Sequence, residues 1–466
     1  MNRQRYLIVC AIAIFVSMIL VVAGAAMAGG QKDRHKGWHK GWYKDKAPVF
    51  EVDPFWPKPL PNQWQIGQVP GIAVDKDDNI WIVHRPRSFT SDEAGATDAL
   101  VDTDGDGIPD ADVLGNPRPA GPIADCCYPA PSVLQFDKKG NLLRAWGGPN
   151  LGFEDPDWNW PANTCLEEQG CFWPNSEHGI YVDHNMNVWL GGQQGRSVVK
   201  FAADGTFLLQ IGERTPPVAD SNDTDGAADG TPLLAQPADL EVDPGPNTPS
   251  GGDELYIADG YTNHRVIVVD AETGMYLRHW GAYGQNPVDD DLSDAMGPNT
   301  NPAPGTDPEF DAPPHFRNPV HAVRITKDGL VYVADRVNNR IQVFDKKTVG
   351  AVCDPFPNPG PGKCGFLGEF FVERDTLGPG STWDLEVSPD KRQKLLYNAD
   401  GSNQHIWTLR RADGRILGNF GRNGRFAGQF HWVHNLAADS QGNMYTAEVD
   451  TGKRVQKFNC KGSGCK

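Results

Sequence analysis

Positive charge is scarce in this chain. Its 466 residues hold 43 lysines and arginines against 60 aspartates and glutamates, a formal net charge of −17. That balance argues against nucleic acid as the natural partner and leaves Asp-rich loops suited to cations. Helical signals are scarce as well. Apolar residues alternate with period two over short stretches rich in β-branched and aromatic side chains, separated by Gly, Asp and Asn turns, which argues for strands. Zinc-ribbon spacing is absent from the nine cysteines, so a cysteine metal site is not expected.

The one long apolar run is N-terminal. Arg3 and Arg5 precede an apolar stretch from Leu7 to about Ala26, which ends in Ala26-Met27-Ala28. That order is a secretory signal with cleavage after Ala28; the alternative is an uncleaved anchor, since the run is long enough to span a bilayer. Either way the chain is expected to be secreted or periplasmic, and to meet a membrane only through an uncleaved segment. Residues 29–47, polar and basic with His35, Trp38, His39 and Trp42, read as a flexible lead-in. Cys10 lies inside the signal, leaving eight cysteines, an even number that suggests disulfides in an exported protein. Cys353 with Cys364 and Cys460 with Cys465 are the expected local pairs. Cys126, Cys127, Cys165 and Cys171 are expected to pair among themselves, with connectivity open.

An internal repeat organises residues 48–459. Its copies begin at Pro70-Gly71-Ile72, His178-Gly179-Ile180, Ala238-Asp239-Leu240, His321-Ala322-Val323, Trp383-Asp384-Leu385 and His434-Asn435-Leu436. Each continues through a second strand such as Asn79 to Val83, a third such as Arg340 to Phe344, and often a fourth ending in Gly, such as Leu277 to Gly281. Four strands in each of six copies predict an all-β fold, a six-bladed β-propeller with long loop insertions. A core within each blade keeps this length in one domain. The sixth copy lacks its fourth strand, which Pro48 to Asp53 can supply by pairing the two ends of the repeat region; residues 460–466 remain as a tail.

Histidine opens the second, fourth and sixth copies. In a closed ring, His178, His321 and His434 stand one-third of a turn apart and converge on the axis, as a facial site for a divalent metal with open positions. Propeller connectivity puts strand-one starts, the loops between strands two and three, and the links between blades on one face. Most of the long insertions (86–131, 149–176, 213–236 and 284–317) fall on it; 346–365 falls on the other. Arg85 and Tyr261, which follow the second strands of blades one and three, enter the same rim. A guanidinium can hold a carboxylate or carbonyl oxygen in its fork, and a tyrosine beside a divalent cation can act as a base. His84, His184, His264, His279, His315, His405 and His431 read as turn, surface or packing residues.

Two acidic segments suit calcium. Asp102, Asp104, Asp106 and Asp110, with Gly107 at the sixth place, open like an EF-type loop but lack the twelfth-place Glu. Asp223, Asp225 and Asp229 form a weaker echo.

The repeat resembles the NHL repeat, and the whole set of marks resembles peptidyl-α-hydroxyglycine α-amidating lyase over roughly residues 48–459. The carriers are Ile80-Trp81-Ile82-Val83-His84-Arg85, Glu177-His178-Gly179-Ile180, Gln236-Pro237-Ala238-Asp239 with Asp259-Gly260-Tyr261, Pro319-Val320-His321 with Ala334 to Gln342, and Val433-His434-Asn435. The resemblance implies a catalytic zinc on His178, His321 and His434, a base at Tyr261 and a substrate-binding arginine at Arg85. It also implies a structural channel calcium on the carbonyls of Ile72 and Ile180, with Asn435 where the family has an aspartate. Thr262 replaces a family cysteine, and Trp432 replaces a methionine two residues before the third histidine. The implied substrate is a small peptide or N-acylglycine derivative, cleaved to an amide and glyoxylate. No copper monooxygenase half accompanies it to make the hydroxyglycine. Two other readings stand beside this one: a non-catalytic NHL propeller binding protein or glycan, and a calcium-dependent lactonase-type propeller using Asp239, Asp384 and Asn435.

Overall fold

A computed structural model describes residues 46–90, 93, 95, 124, 126–148, 165–213, 220–287, 289, 315–350, 364–462 and 464–465. The expected signal, much of the lead-in, the Asp102–Asp110 loop and Cys353 lie outside the described residues. Six four-stranded antiparallel sheets are formed, one per copy of the repeat. The chain is a six-bladed β-propeller. A short parallel pair, Trp64–Gln65 with Tyr128–Pro129, adds to the rim of blade one.

The sixth blade takes its outermost strand from the start of the repeat region. Val49–Asp53 pairs with Arg454–Lys461 in register from Val49↔Lys461 to Asp53↔Lys457. The last strand therefore runs two residues into the segment expected to be tail, and Cys460–Cys465 closes a small loop after it. Cys126 and Cys127 are bonded to each other, as are Cys165 and Cys171, which resolves the open pairing.

The core does not sit inside individual blades. Six buried clusters each draw on two neighbouring blades. Trp81 and Trp146 of blade one pack with Val188 and Phe201 of blade two, and so on round the ring to Ala437 and Tyr445 of blade six against Ile72 and Phe136 of blade one. A lone four-stranded sheet has two apolar faces and cannot cover either, so each blade is stable only between its neighbours.

Repeated polar clasps fix the turns. In blade one, Asp75 accepts the backbone N–H of Asp77 and Asn79 and the Trp81 indole N–H. Asp183 does the same with Asn185, Asn187 and Trp189. At the other end of the hairpins, buried Arg265 pairs with Asp259 at 2.9 Å, and buried Arg340 with Asp335 at 2.6 Å.

The innermost strands carry the site, and four of the six are bulged. Register shifts fall between Gln68 and Gly71, Glu177 and Ile180, Val320 and Ala322, and Val433 and Asn435. The inner strands of blades three and five pair regularly, with Asp239↔Ala258 and Asp384↔Ala399. A bulge lifts a residue off the ladder and re-aims its side chain. Each histidine of the repeat sits on such a bulge. Gly71 and Gly179 let neighbouring inner strands close on the axis: a Cβ there would lie 2.6 Å from the His178 carbonyl oxygen and 2.7 Å from that of Ala238.

Candidate metal centre

His178, His321 and His434 converge as expected. All three are buried, and their candidate ligand atoms lie within 4.8 Å of one another. The ring centroids are 5.2 Å, 4.7 Å and 4.8 Å apart. Among the described residues this is the only group of three or more His, Cys, Asp or Glu side chains placed to hold an ion.

Each imidazole is held from behind by the next blade. His178 Nδ1 lies 2.6 Å from the Ala238 carbonyl oxygen, His434 Nδ1 lies 2.7 Å from that of Pro70, and His321 Nδ1 bonds the Trp383 carbonyl. Ala238, Trp383 and Pro70 are the residues that open the intervening copies. A carbonyl only accepts, so Nδ1 carries the proton and Nε2 presents its lone pair. Burial holds His178 and His321 well below the usual imidazole range, helped by the neighbouring imidazoles and guanidinium groups. Burial, with the Arg85 and Arg336 charges behind it, pushes His434 down to about 3. Neutral imidazoles with fixed tautomers are the state in which histidine binds a metal.

Tyr261 closes the group from the rim. Its hydroxyl lies 2.9 Å from His178 Nε2 and 3.0 Å from His321 Nε2. One hydroxyl proton cannot serve two lone pairs, so these acceptors face one another with a proton too few. A cation at this point resolves the conflict, and three imidazole nitrogens fit a transition ion such as zinc better than they fit calcium.

Arg85 stands at the same mouth. Its Nε donates to the Glu177 carbonyl at 2.8 Å, Nη1 to Gln68 Oε1 at 2.9 Å and Nη2 to Gln193 Oε1 at 3.4 Å. A guanidinium has five N–H groups, so two remain for a ligand. Arg336, given no role in the sequence reading, is the fourth rim residue. Its Nη1 donates to the Tyr261 hydroxyl at 3.2 Å, and its buried Nε has no partner. It directly follows the second strand of blade four, Leu330–Asp335, much as Arg85 closes that of blade one, and that similar place in the repeat was the available signal. Trp383 stacks between Arg336, 4.5 Å away, and Trp432 at 5.3 Å, forming an aromatic wall beside His434.

Below the histidines the expected calcium ligands have other work. Asn435 Oδ1 accepts the Ile72 N–H at 2.7 Å. Asp239 and Asp384 pair with Arg324 at 2.6 Å and 3.1 Å. In the rim, Asp223 and Asp229 turn their carboxylates to their own loops, at the Asp220 and Thr231 N–H groups, so the weaker acidic echo builds no ligand cluster. His84 is a packing residue: Nδ1 accepts from the Gly67 N–H and Nε2 donates to the Pro131 carbonyl.

Residues 318–344 match the family model described as NHL repeat. The chain is 26% identical over 410 residues to peptidyl-glycine alpha-amidating monooxygenase B of Xenopus laevis, covering 88% of this chain and 35% of that protein. It is 23% identical over 289 residues to peptidyl-alpha-hydroxyglycine alpha-amidating lyase 1 of Drosophila melanogaster, covering 60% of this chain and 44% of that one. With human NHL repeat-containing protein 3 it shares 28% identity over 249 residues, 51% of this chain and 52% of the relative. The chain thus spans about a third of the Xenopus relative's length. Taken with the ring and its histidines, it is a six-bladed β-propeller with an NHL-repeat match in its fourth blade, and it resembles peptidyl-α-hydroxyglycine α-amidating lyase.

Proposed function

We propose that this chain is an exported, metal-dependent carbon–nitrogen lyase that cleaves an N-acyl carbinolamine to an amide and glyoxylate. The observation that carries the reading is the meeting of three neutral imidazoles with Tyr261, under Arg85 and Arg336. The Nε2 atoms of His178, His321 and His434 would hold the ion, with zinc the first candidate. Bound there, it supplies Lewis acidity toward a substrate hydroxyl.

The chain's own residues supply the rest. Tyr261, as phenolate, takes the proton of the α-hydroxyl. The C–N bond then breaks, its electron pair goes to nitrogen, and the new C=O forms on carbon. The proton on Tyr261 is returned to the leaving amide nitrogen, which balances the reaction. Arg336 donates to the Tyr261 oxygen and holds it toward the imidazoles. The unpartnered Nε of Arg336 and the spare N–H groups of Arg85 suit the substrate carboxylate. The Trp383–Trp432 wall offers an apolar surface to the acyl side. The lactonase-type alternative loses its ligands, because Asp239 and Asp384 are committed to Arg324.

Disulfides in three places support export. Among the described residues no helix is long and apolar enough to cross a membrane.

The test is metal content of the purified protein beside a His321→Ala variant, followed by glyoxylate release from an N-acyl-α-hydroxyglycine. About one transition ion per chain, lost in the variant together with turnover, is the expected result. Calcium alone, unchanged by the variant, would make the histidines structural and leave a binding propeller.

A further inference from the structure

We propose that Arg324 is the resident cation of the axial channel, so that the ring beneath the histidines holds without calcium. The resemblance assigns a calcium to this level, but the residues present do not fit one. Calcium takes six to eight oxygen ligands, carboxylates foremost. The expected carboxylate is the neutral Asn435, whose oxygen accepts the Ile72 N–H.

The carboxylates that do face the axis, Asp239 and Asp384, come from blades three and five, between which Arg324 projects from blade four. Its Nη1 donates to Asp239 Oδ2 at 2.6 Å and to the Val323 carbonyl at 2.7 Å, and its Nη2 to Asp384 Oδ1 at 3.1 Å. The contacts run on round the ring. Asp384 Oδ2 accepts the Leu436 N–H of blade six at 2.8 Å, and Asn435 beside it accepts from blade one. On the other side, Asp239 borders Gly179 of blade two, where a Cβ would lie 3.4 Å from Asp239 Oδ1. One guanidinium and its two carboxylates therefore tie the inner strands of blades three, four, five and six at a single level.

A divalent ion at this level would have to share those two carboxylates with a fixed positive charge that repels it. Two further acids, Glu241 and Glu386, lie two residues along from Asp239 and Asp384 on the same strands.

This inference is independent of the proposed reaction. Its test uses the full chain carrying Asp104→Asn and Asp106→Asn, which removes the separate acidic loop as a source of calcium response. Unfolding midpoints are compared in calcium-free buffer and in excess calcium, with zinc held constant. The expected midpoint is the same in both. Arg324→Met in the same background should lose on the order of 5 °C or more without calcium, and recover with it, because it leaves an uncompensated carboxylate cage. Arg324→Lys, which keeps the charge, should fold and stay indifferent to calcium. Stabilisation of the background protein by calcium would overturn the proposal, and so would an Arg324→Met protein as stable as its parent in calcium-free buffer. If Arg324→Met does not fold in either buffer, the calcium response of the background and Arg324→Lys proteins decides.

Discussion

Arg336 donates a 3.2 Å hydrogen bond to the Tyr261 hydroxyl while its guanidinium lies 4.5 Å from the Trp383 ring centroid. The cation is fixed by an aromatic face on one side and spends one N–H on the tyrosine oxygen. A buried guanidinium with a bare Nε is costly in the free protein. A ligand carboxylate would relieve that cost, which is why the proposed reaction gives the residue a substrate contact as well as its bond to Tyr261.

Tyr261→Phe removes the oxygen that faces two imidazole nitrogens and leaves the ring in place. Turnover should fall by about 10²- to 10⁴-fold, the span of a lost general base, with metal content unchanged. Glyoxylate release and metal analysis on one preparation check both halves. Undiminished turnover would take tyrosine out of the chemistry.

Arg336→Gln should lower kcat/KM by about 100-fold, with both parameters affected, since the side chain is assigned to substrate and to Tyr261 together. Arg336→Lys should recover only part, because a point charge cannot hold the tyrosine oxygen and a carboxylate in one fork. A change in KM alone would confine Arg336 to binding.

Removal of residues 48–56 takes away the outer strand of blade six and Trp56, which is buried against Phe136 and Tyr445. The ring should then unfold without a single cooperative transition, visible by calorimetry. A sharp transition at the parent midpoint would show that blade six closes without this strand.

Glu241 gives the pH prediction. Its pKa is raised from 4.5 to about 8 by burial, so between those values the folded chain keeps a proton that the unfolded chain releases. Stability from this group is full below the lower value and is lost as pH rises through the upper one. Glu241→Gln has no proton to lose. Relative to the parent, its unfolding midpoint should therefore rise as pH goes from about 5 to about 8. A constant difference would mean that Glu241 is ionised throughout.

Much of the ring was legible because its marks are local and repeated. The Asp75 and Asp183 turns, the Arg265 and Arg340 clasps, and the histidines that open alternate copies recur at fixed places. The placement of blade six's missing strand followed from counting strands. What period two does not show is the bulges themselves. In a regular strand, His321 and Arg324 stand on opposite faces, since their separation is odd. The register shift between Val320 and Ala322 breaks that alternation, and the sequence alone assigns Arg324 no role. The core was also misplaced: period two says which residues are buried, but not that they are buried against the next blade. Arg336 was missed because its neighbours Asp335 and Arg340 explain the motif as a clasp.

The carbonyls behind the three imidazoles make the metal centre a gauge of the whole ring. Blades two and three meet through His178 and Ala238, four and five through His321 and Trp383, and six and one through His434 and Pro70. The last of these joins blade one to blade six, the blade in which the two ends of the repeat region pair. An ion drawn to the Nε2 atoms polarises each ring and strengthens the Nδ1–H bond on its far side. Affinity for the ion and resistance of that junction to opening are then one reciprocal quantity. A substitution that loosens the blade-six hairpin, far from the histidines, would register first as a faster loss of metal.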